Sequence, residues 1–320
     1  MKLEIVTAEA NEAVLARIVD LHNEVWPRES VGREQKAKWA FGGNPLGRAP
    51  LVVAVGENGE FLGVRGGMFW SVDLGSGEVI RAIQLHGTAV HPSVRRQGLF
   101  SRMTVKFLEE VDRENVPVVF NVSVAASRAG YEKLGWNYST TLRSMVLPVR
   151  LGRAIRQMIG GRIQPRTPGE SRLTRRPDFE DVRGLLLKRA SKCVGSMHTV
   201  YTHEFFEWRF ASDIYQWFGN PTDGYVVYRL RQRGNLLELL IGDVWPGSAS
   251  VKSLVRSVIM REKPDLVVSW TSTVHPNYRP LRRMGFIVQP RRSLNLGLRF
   301  PVAGTGLINC GLMAADIDTF

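Results

Sequence analysis

The spacing of hydrophobic and polar positions predicts a mixed α/β fold in the first half of the chain. Residues 3–7 alternate as a short strand, and helical spacing extends from Asn11 to about Val25 and from Arg33 to Phe41. Apolar or alternating segments predict further strands at residues 51–55, 61–70, 79–90, 116–120 and 141–147. Predicted helices at residues 99–114 and 125–134 separate the last three strands. A strand, a helix and a parallel strand make a crossover unit, which favours an α/β class with a mixed sheet.

The second half of the chain repeats this order of elements. Predicted helices lie at residues 179–190, 203–210 and 249–261, and predicted strands lie at residues 225–230, 236–244 and 266–270. Near the end of each half, a helix, a buried strand and a polar loop precede similar segments, Tyr131–Trp136 and Leu281–Phe286. The pattern predicts an internal duplication, with two lobes that each contain a mixed, mainly antiparallel sheet flanked by helices.

A segment rich in proline, glycine and arginine separates the two halves. We place a first domain at residues 1–148, a basic linker at 149–176 and a second domain at 177–320. Lys and Arg exceed Asp and Glu by 13 over the whole chain, and the excess is +1, +7 and +5 in the three parts. The basic character therefore lies in the linker and the second domain, and an anionic partner would bind there.

The linker contains a short segment with helical periodicity. Leu151, Ile155 and Met158 share one face, and Arg150, Arg153 and Arg156 lie towards another. A basic amphipathic helix can contact a membrane surface or nucleic acid. The interpretation that we favour is a short solvated helix packed on one lobe.

Cysteine and histidine positions argue against a metal centre or a disulfide framework. Cys193 and Cys310 are far apart and lack metal-ligand spacing, so we interpret them as free thiols in a reducing compartment. His198 and His203 have no suitable carboxylate or cysteine partner nearby in sequence, and we expect no bound metal. The first residues lack a signal-peptide pattern and no stretch has the apolar length of a membrane span, so we expect a soluble, cytoplasmic protein.

The segment that carries the most chemical information is Val90–Ser101, where a strand end leads through a basic, glycine-containing loop into a helix. Backbone N–H groups at a helix start are unpaired, and the helix dipole adds positive potential there, so the site favours a phosphate. Gly98 allows the backbone to approach a pyrophosphate, and Arg95 and Arg96 supply charge. A solvated arginine-containing loop is the alternative.

This loop resembles the pyrophosphate loop of the GNAT superfamily of N-acetyltransferases. The match is Arg95-x-x-Gly98-x-Phe100, although the family has a small residue in place of Phe100. Asn121 after the next strand, followed by Tyr131-x-x-x-Gly135-Trp136, resembles the superfamily's next motif. The resemblance covers about residues 3–148.

The resemblance implies that acetyl-CoA binds between two parallel strands that splay apart. Pantetheine would pair with the strand end at Ala89 and Val90, Asn121 would face the same cleft, and Gly87 suits the splay. The residues that would bind the pyrophosphate are Arg95, Arg96, Gln97, Gly98, Leu99, Phe100 and Ser101.

The same resemblance suggests residues for the transfer to an amine. Tyr131 would be the general acid near the thioester sulfur, with ordinary core packing as the alternative. Strand alternation predicts that Gln84, His86, Thr88 and Val90 share one face. Gln84 occupies a position where some relatives have a glutamate base, so we assign the base to His86, directly or through water, and Gln84 to substrate binding. A buried, hydrogen-bonded histidine in the core is the alternative for His86. Glu29, in the loop between the first two helices, would attract the amine.

The second lobe lacks the loop pattern and has Leu281 where the first has Tyr131. We therefore expect one active lobe and a degenerate second lobe that shapes the acceptor site or serves a structural role. Fem-type transferases, which take their acyl group from tRNA, also have tandem lobes and would suit the basic linker. A catalytically inactive scaffold that binds CoA or nucleic acid is a further alternative. The sequence leaves a small-molecule or a protein amine open as the acceptor.

Overall fold

The computed structural model describes residues 3–27, 32–123, 125–165, 175–300 and 308–317. Most predicted elements are present, and the predicted α/β class with a mixed sheet is confirmed. In the first half the strands are β1 (Glu4–Thr7), β2 (Leu51–Val55), β3 (Phe61–Asp73), β4 (Val79–Val90), β5 (Val119–Ser123) and β6 (Asn137–Pro148). The helices there are α1 (Glu12–Val25), α2 (Arg33–Ala37), α3 (Leu99–Arg113) and α4 (Ala125–Glu132), and a π-helix at Lys38–Gly42 follows α2.

The second half contains smaller strands that the sequence did not indicate. Its helices are α5 (Leu151–Met158), α6 (Phe179–Ala190), α7 (His203–Arg209), α8 (Val251–Glu262) and α9 (Tyr278–Arg283). Its strands are β7 (Ser196–Thr199), β8 (Gln216–Asn220), β9 (Gly224–Arg233), β10 (Leu236–Pro246), β11 (Leu266–Thr271), β12 (Ile287–Val288), β13 (Leu294–Arg299) and β14 (Asn309–Cys310).

The chain forms two compact units that are interleaved along the sequence. Unit 1 comprises Met1–Val72, Ile80–Tyr138 and Leu296–Gly306, and unit 2 comprises the remaining residues. Most of β6 therefore belongs to unit 2, where it pairs antiparallel with β11, and most of β13 belongs to unit 1, where it lies beside β5. This division differs from the continuous boundaries at 148 and 177, because each unit contains segments that are distant in sequence.

The core of unit 1 lies between the sheet and α3. Met103, Phe107 and Val111 on α3 are buried and pack with Ile83 and Leu85 of β4. The helix forms because its apolar residues recur every three or four positions and face the sheet. Strand β4 runs parallel to β5, so α3 is the crossover between them.

The core of unit 2 has the same arrangement around α8, which connects the parallel strands β10 and β11. Val251, Leu254, Val255 and Val258 form its buried face. The similar order of elements agrees with the predicted duplication, which remains a prediction. Within the described ranges, no helix has both the length and the apolar character required to cross a membrane.

Candidate active site

The loop before α3 presents unpaired backbone donors to solvent. Gly98 is the N-cap of α3 with a φ of 72°, and Arg96 also adopts a left-handed conformation with a φ of 64°. No side chain caps the helix, and the N–H groups of Arg96, Gln97 and Gly98 have no backbone acceptor among the residues that the structure describes. The amides of Leu99, Phe100 and Ser101 belong to the first helical turn and have no acceptor within the helix. The predicted loop residues therefore form a cradle of N–H groups at the positive end of a helix dipole.

Phe100, which departs from the family pattern, is directed away from this cradle. Its ring makes an edge contact with the ring of Tyr131, with centroids 5.1 Å apart. Space for the ring exists because residue 130 is glycine, where an added Cβ would lie 3.1 Å from Phe100. A bulky residue is thus accommodated here without covering the amides of the loop.

Strands β4 and β5 pair at two positions, which lie in the middle of β4 and at the start of β5. The recorded register pairs Ile83 with Val119 and Gln84 with Phe120, and β4 continues to Val90 beyond these pairs. Gly87 follows with a φ of 66°, and its carbonyl oxygen accepts a hydrogen bond from Nε2 of His22 at 2.8 Å. A Cβ at Gly87 would lie 2.8 Å from the Phe41 ring, so glycine is required both for the backbone angle and for this contact. The predicted role of Gly87 at a splay agrees with this geometry.

The left-handed Gly87 interrupts the alternation of side chains along β4. Because Ile83 and Leu85 face α3, Gln84 and His86 face the opposite side of the sheet. Thr88, however, bonds to Arg65, whose guanidinium carbon lies 6.0 Å from the centre of the Phe107 ring of α3. The prediction that Gln84, His86, Thr88 and Val90 share one face is therefore wrong, and Val90 packs with the α3 core. Side chains alternate between the two faces of a strand only where the backbone conformation of the strand is regular.

Tyr131 is buried on α4 and receives a charged hydrogen bond. Nη1 of Arg65 donates to the Tyr131 hydroxyl oxygen at 2.7 Å and to Oγ1 of Thr88 at 2.6 Å. Since the Tyr131 oxygen accepts from a cation, its own hydrogen is left to be donated to another group.

Arg65 is an unusual component of this site, because its side chain is fully buried. Its Nε and Nη2 atoms have no hydrogen-bond partner among the described residues. Its guanidinium carbon lies 5.0 Å from the Tyr131 ring centroid and 5.3 Å from that of Phe100. The sequence carries a signal for this residue, because Arg65 is the one polar residue in the otherwise apolar segment from Phe61 to Trp70.

Two histidines lie at the other face of β4. The His86 ring is buried and makes edge contacts with Phe41 and Trp39, with centroids 5.6 and 6.4 Å apart. Burial lowers the pKa of His22 to about 4, and the charges of His86, Arg33 and Lys36 act in the same direction. His22 is therefore neutral near pH 7, and its bond to a carbonyl places the ring hydrogen on Nε2 and a lone pair on Nδ1. His22 was not among the predicted site residues.

Asn121 lies in the middle of β5, the strand that neighbours β13. It is buried, and a Cβ at Gly297 would lie 2.9 Å from its Oδ1 and 2.6 Å from the Tyr138 ring. Nε of Arg299 donates to the carbonyl oxygen of Leu134 at 3.3 Å, which fixes the end of the α4 segment. Residues about 160 positions later in the chain thus support the predicted site.

The remaining predicted residues occupy varied positions. Ala89 is buried, and the carbonyl oxygen of Val90 accepts from Nε of Arg95 at 3.2 Å. Gln84 is fully buried in the sheet, so its predicted contact with an acceptor remains a prediction. Glu29 lies outside the described residues.

Unit 2 contains a buried polar cluster near the position that corresponds to the splay. Asp243, His275 and Asp316 place potential ligand atoms within 4.8 Å of one another. Nε of Arg189 lies 2.9 Å from a carboxylate oxygen of Asp243, and Nη2 lies 2.5 Å from one of Asp316. The guanidinium thus lies between the two carboxylates and supplies one positive charge to the cluster. His198, predicted not to bind metal, contacts the carbonyl oxygen of Ser196 at 3.0 Å through Nδ1.

The parallel pair β4 and β5, the uncapped start of α3 and the buried Tyr131 are the features that resemble the GNAT superfamily. Residues 7–139 match the family model described as an acetyltransferase (GNAT) domain. The matched segment contains the loop before α3 and Tyr131, whose motifs resemble this superfamily.

Solved structures with the same fold span almost the whole chain. Eis1 from Mycobacterium abscessus is 14% identical, with a TM-score of 0.58 over 93% of this chain and 73% of its own. A GCN5-related N-acetyltransferase from Kribbella flavida is 16% identical, with a TM-score of 0.65 over 93% of this chain and 71% of its own. A GCN5-related N-acetyltransferase from Anabaena variabilis ATCC 29413 is 15% identical, with a TM-score of 0.65 over 93% of this chain and 73% of its own. No curated protein matches the chain significantly in sequence.

Proposed function

We propose that the protein transfers an acetyl group from acetyl-CoA to a primary amine by direct attack in a ternary complex, at the site in unit 1. The observation that carries this proposal is the exposed row of amides around the left-handed Gly98, next to a helix whose tyrosine hydroxyl is free to donate. A phosphate site and a proton donor near each other are what thioester aminolysis requires.

The residues of the loop suit a pyrophosphate. An added Cβ at Gly98 would meet no heavy atom within 4 Å, so the backbone is open to a ligand. Arg95, Arg96, Gln97 and Gly98 are exposed, and the two arginines add positive charge to that of the helix start. Asn121 and the strand end at Ala89 and Val90 would contact the pantetheine part of the same molecule.

Acetyl-CoA supplies the activated acyl group as a thioester. The amine nitrogen forms a bond to the acyl carbon, the bond from that carbon to sulfur breaks, and the amine loses a proton. Tyr131 donates its hydroxyl proton to the departing sulfur, and Arg65 stabilises the tyrosine oxygen as it gives up that proton.

The proton of the amine passes to His86 through water, because His86 faces the side of β4 opposite to Thr88 and Arg65. Phe41 and Trp39 hold the His86 ring by edge contacts, and His22, which fixes Gly87, remains neutral beside it. A neutral neighbour avoids a second positive charge when His86 takes up the proton.

Calorimetric titration with acetyl-CoA tests the proposal. We expect micromolar binding by the wild type and a loss of about 100-fold or more in Gly98→Glu, because a carboxylate would occupy the phosphate cradle. Gly59→Glu is the matched control: Gly59 has a φ of 82° and, like Gly98, has nothing within 4 Å of an added Cβ. It lies in a turn distant from the loop in sequence and should bind normally.

A second measurement separates an enzyme from an inactive protein. Release of free thiol from acetyl-CoA, followed with a panel of small amines and lysine peptides, should depend on both Tyr131 and Gly98. Binding without turnover on any amine would favour a CoA-binding scaffold. No binding by the wild type would overturn the proposal and favour a tRNA-dependent transferase.

A further inference from the structure

Helix α5 is attached to unit 2 by its polar face. Nε of Arg153 lies 2.9 Å from Oδ1 of Asp265, a carboxylate whose side chain is fully buried. The N–H of Asn235 donates to Oε1 of Gln157 at 2.9 Å, and Nε2 of Gln157 donates to the carbonyl oxygen of Arg233 at 3.2 Å. The helix is therefore fixed in orientation by polar contacts to the turn between β9 and β10 and to the start of β11.

The apolar residues of the same helix point to solvent. Leu151, Ile155, Met158 and Ile159 are 58%, 43%, 77% and 77% exposed, whereas Ala154 is the buried residue of the helix. Their spacing of four, three and one positions places them on one side of an α-helix. A surface helix of a globular protein normally buries this side and exposes its polar side. The reversed arrangement leaves an apolar stripe exposed in a rigid position, which marks an interaction surface.

The charged side chains in the chain segment that contains this stripe are all positive. Residues 149–165 contain four arginines and no aspartate or glutamate. Arg156 and Arg162 are exposed, and Arg153 is the arginine used in packing against Asp265. An apolar stripe flanked by arginines is complementary to a surface with an apolar interior and anionic groups at its edge, which is the chemistry of an anionic lipid bilayer.

Other occupants fit the stripe less well. A second copy of the chain would bring two basic surfaces together in a protein whose net charge is +13. A nucleic acid would neutralise the arginines but would leave the apolar side chains without an apolar partner. We propose that α5 and the adjoining Ile159 dock this protein on the surface of membranes that contain anionic lipids, with the apolar side chains inserted and the arginines among the headgroups.

Vesicle flotation of the full chain tests this inference. We expect binding to phosphatidylcholine vesicles that contain about one third phosphatidylglycerol, little binding to pure phosphatidylcholine, and weaker binding as salt is raised. Met158→Gln should lower the partition coefficient about ten-fold, because it removes an inserted side chain. Met260→Gln is the matched control: Met260 lies on α8 of the same unit and is 76% exposed, against 77% for Met158. It should bind vesicles as the wild type does.

A charge variant and two further measurements complete the test. Arg156→Gln should weaken binding to anionic vesicles several-fold, whereas Arg256→Gln, an exposed arginine on α8, should not. Equal binding to both kinds of vesicle, or equal effects of Met158→Gln and Met260→Gln, would overturn the proposal. So would light scattering that shows a dimer dissociated by Met158→Gln, or salt-sensitive RNA binding in the absence of vesicle binding.

Discussion

The loops that precede α3 in unit 1 and α8 in unit 2 occupy equivalent places in the order of elements. They differ in whether their backbone N–H groups have hydrogen-bond acceptors within the protein. Before α3, the amides of Arg96, Gln97 and Gly98 have no acceptor among the described residues. Before α8, the amides of Gly247 and Ala249 donate to the carbonyl oxygen of Asp223 at 2.9 and 3.2 Å. The amide of Ser248 donates to the carbonyl oxygen of Thr222 at 2.8 Å. Ser250 caps α8, since its Oγ accepts from the N–H of Ser253 at 3.1 Å. In the loop before α8, the backbone N–H groups that a phosphate would need are therefore already hydrogen-bonded within the protein.

The parallel strands differ in the same way. Strands β4 and β5 pair at two positions, Ile83 with Val119 and Gln84 with Phe120. Strands β10 and β11 pair at four positions, from Glu238 with Leu266 to Ile241 with Ser269. Beyond its paired region, unit 2 holds the ion pairs of Arg189, and the N–H of Ser272 donates to the carbonyl oxygen of Leu312. The comparison teaches that the same order of strands and helices can leave backbone donors available to a ligand, as proposed for unit 1, or satisfy them internally, as in unit 2.

Removing one buried tyrosine hydroxyl from each unit should give the largest contrast. Tyr131→Phe should lower kcat about 10²- to 10⁴-fold with little change in the KM for acetyl-CoA, because general acid catalysis is lost while the phosphate cradle remains. Tyr228→Phe removes a hydroxyl that donates to Oε1 of Glu262 at 2.6 Å in unit 2, and should leave kcat unchanged. Steady-state kinetics with a reactive amine measure both variants. A normal kcat in Tyr131→Phe would show that Tyr131 only packs the core.

The ion pairs of Arg189 should control stability rather than activity. Arg189→Met leaves the buried carboxylates of Asp243 and Asp316 without a cation, and should lower the free energy of unfolding by about 3–5 kcal/mol near neutral pH. Burial already raises the pKa of Asp243 to about 6, so protonation at lower pH should reduce this cost. Urea unfolding at two pH values measures the effect. Arg183→Met, at an exposed arginine on the same helix, is the control, and an equal loss in both would contradict the structural role.

One histidine in each unit, the partly buried His22 and the buried His275, should make stability depend on pH. Burial lowers the pKa of His22 to about 4, below the value of about 6.5 expected in the unfolded chain, so the unfolded state binds a proton more readily. The stability that His22 contributes is present above pH 6.5 and is lost as pH falls through 4, a total of about 3 kcal/mol.

His22→Gln, whose amide can still donate to Gly87, should reduce the pH dependence in this window when unfolding is measured by urea titration. Burial also lowers the pKa of His275 well below its usual value, so His275→Gln should reduce part of what remains. An unchanged pH profile in His22→Gln would contradict the assignment.

Regular elements could be predicted where their pattern was local. The helix predicted at residues 179–190 is observed at Phe179–Ala190. Asn11, where helical spacing begins in the sequence, caps α1 by accepting from the N–H of Val14 at 3.0 Å. Gly135, the residue after the helix predicted at residues 125–134, has a φ of 91°. Helix caps, glycines at helix ends and the 3.6-residue spacing of apolar positions each depend on residues close together in the chain. They can therefore be recognised in a single sequence.

Long-range features could not be predicted in this way. Strand β13 belongs mainly to unit 1 although it follows the second half of the chain, and no local pattern indicates which sheet a strand joins. The contacts of Arg65 with Tyr131 and Thr88 join residues far apart in sequence. The change of face after His86 depends on the φ of Gly87, so the period of two gave the wrong face for Thr88.

The smallest expected effect concerns the cap that distinguishes α8 from α3. Ser250→Ala removes the acceptor for the N–H of Ser253 and should lower the free energy of unfolding by about 1 kcal/mol. Ser250→Gly should lower the free energy of unfolding by only about a few tenths of a kcal/mol, because glycine leaves the helix start open to water. Neither variant should change the KM for acetyl-CoA, since the neighbouring amides keep their carbonyl partners. Urea unfolding and steady-state kinetics measure both quantities, and a raised KM in Ser250→Ala would mean that the loop of unit 2 takes part in binding the acyl donor.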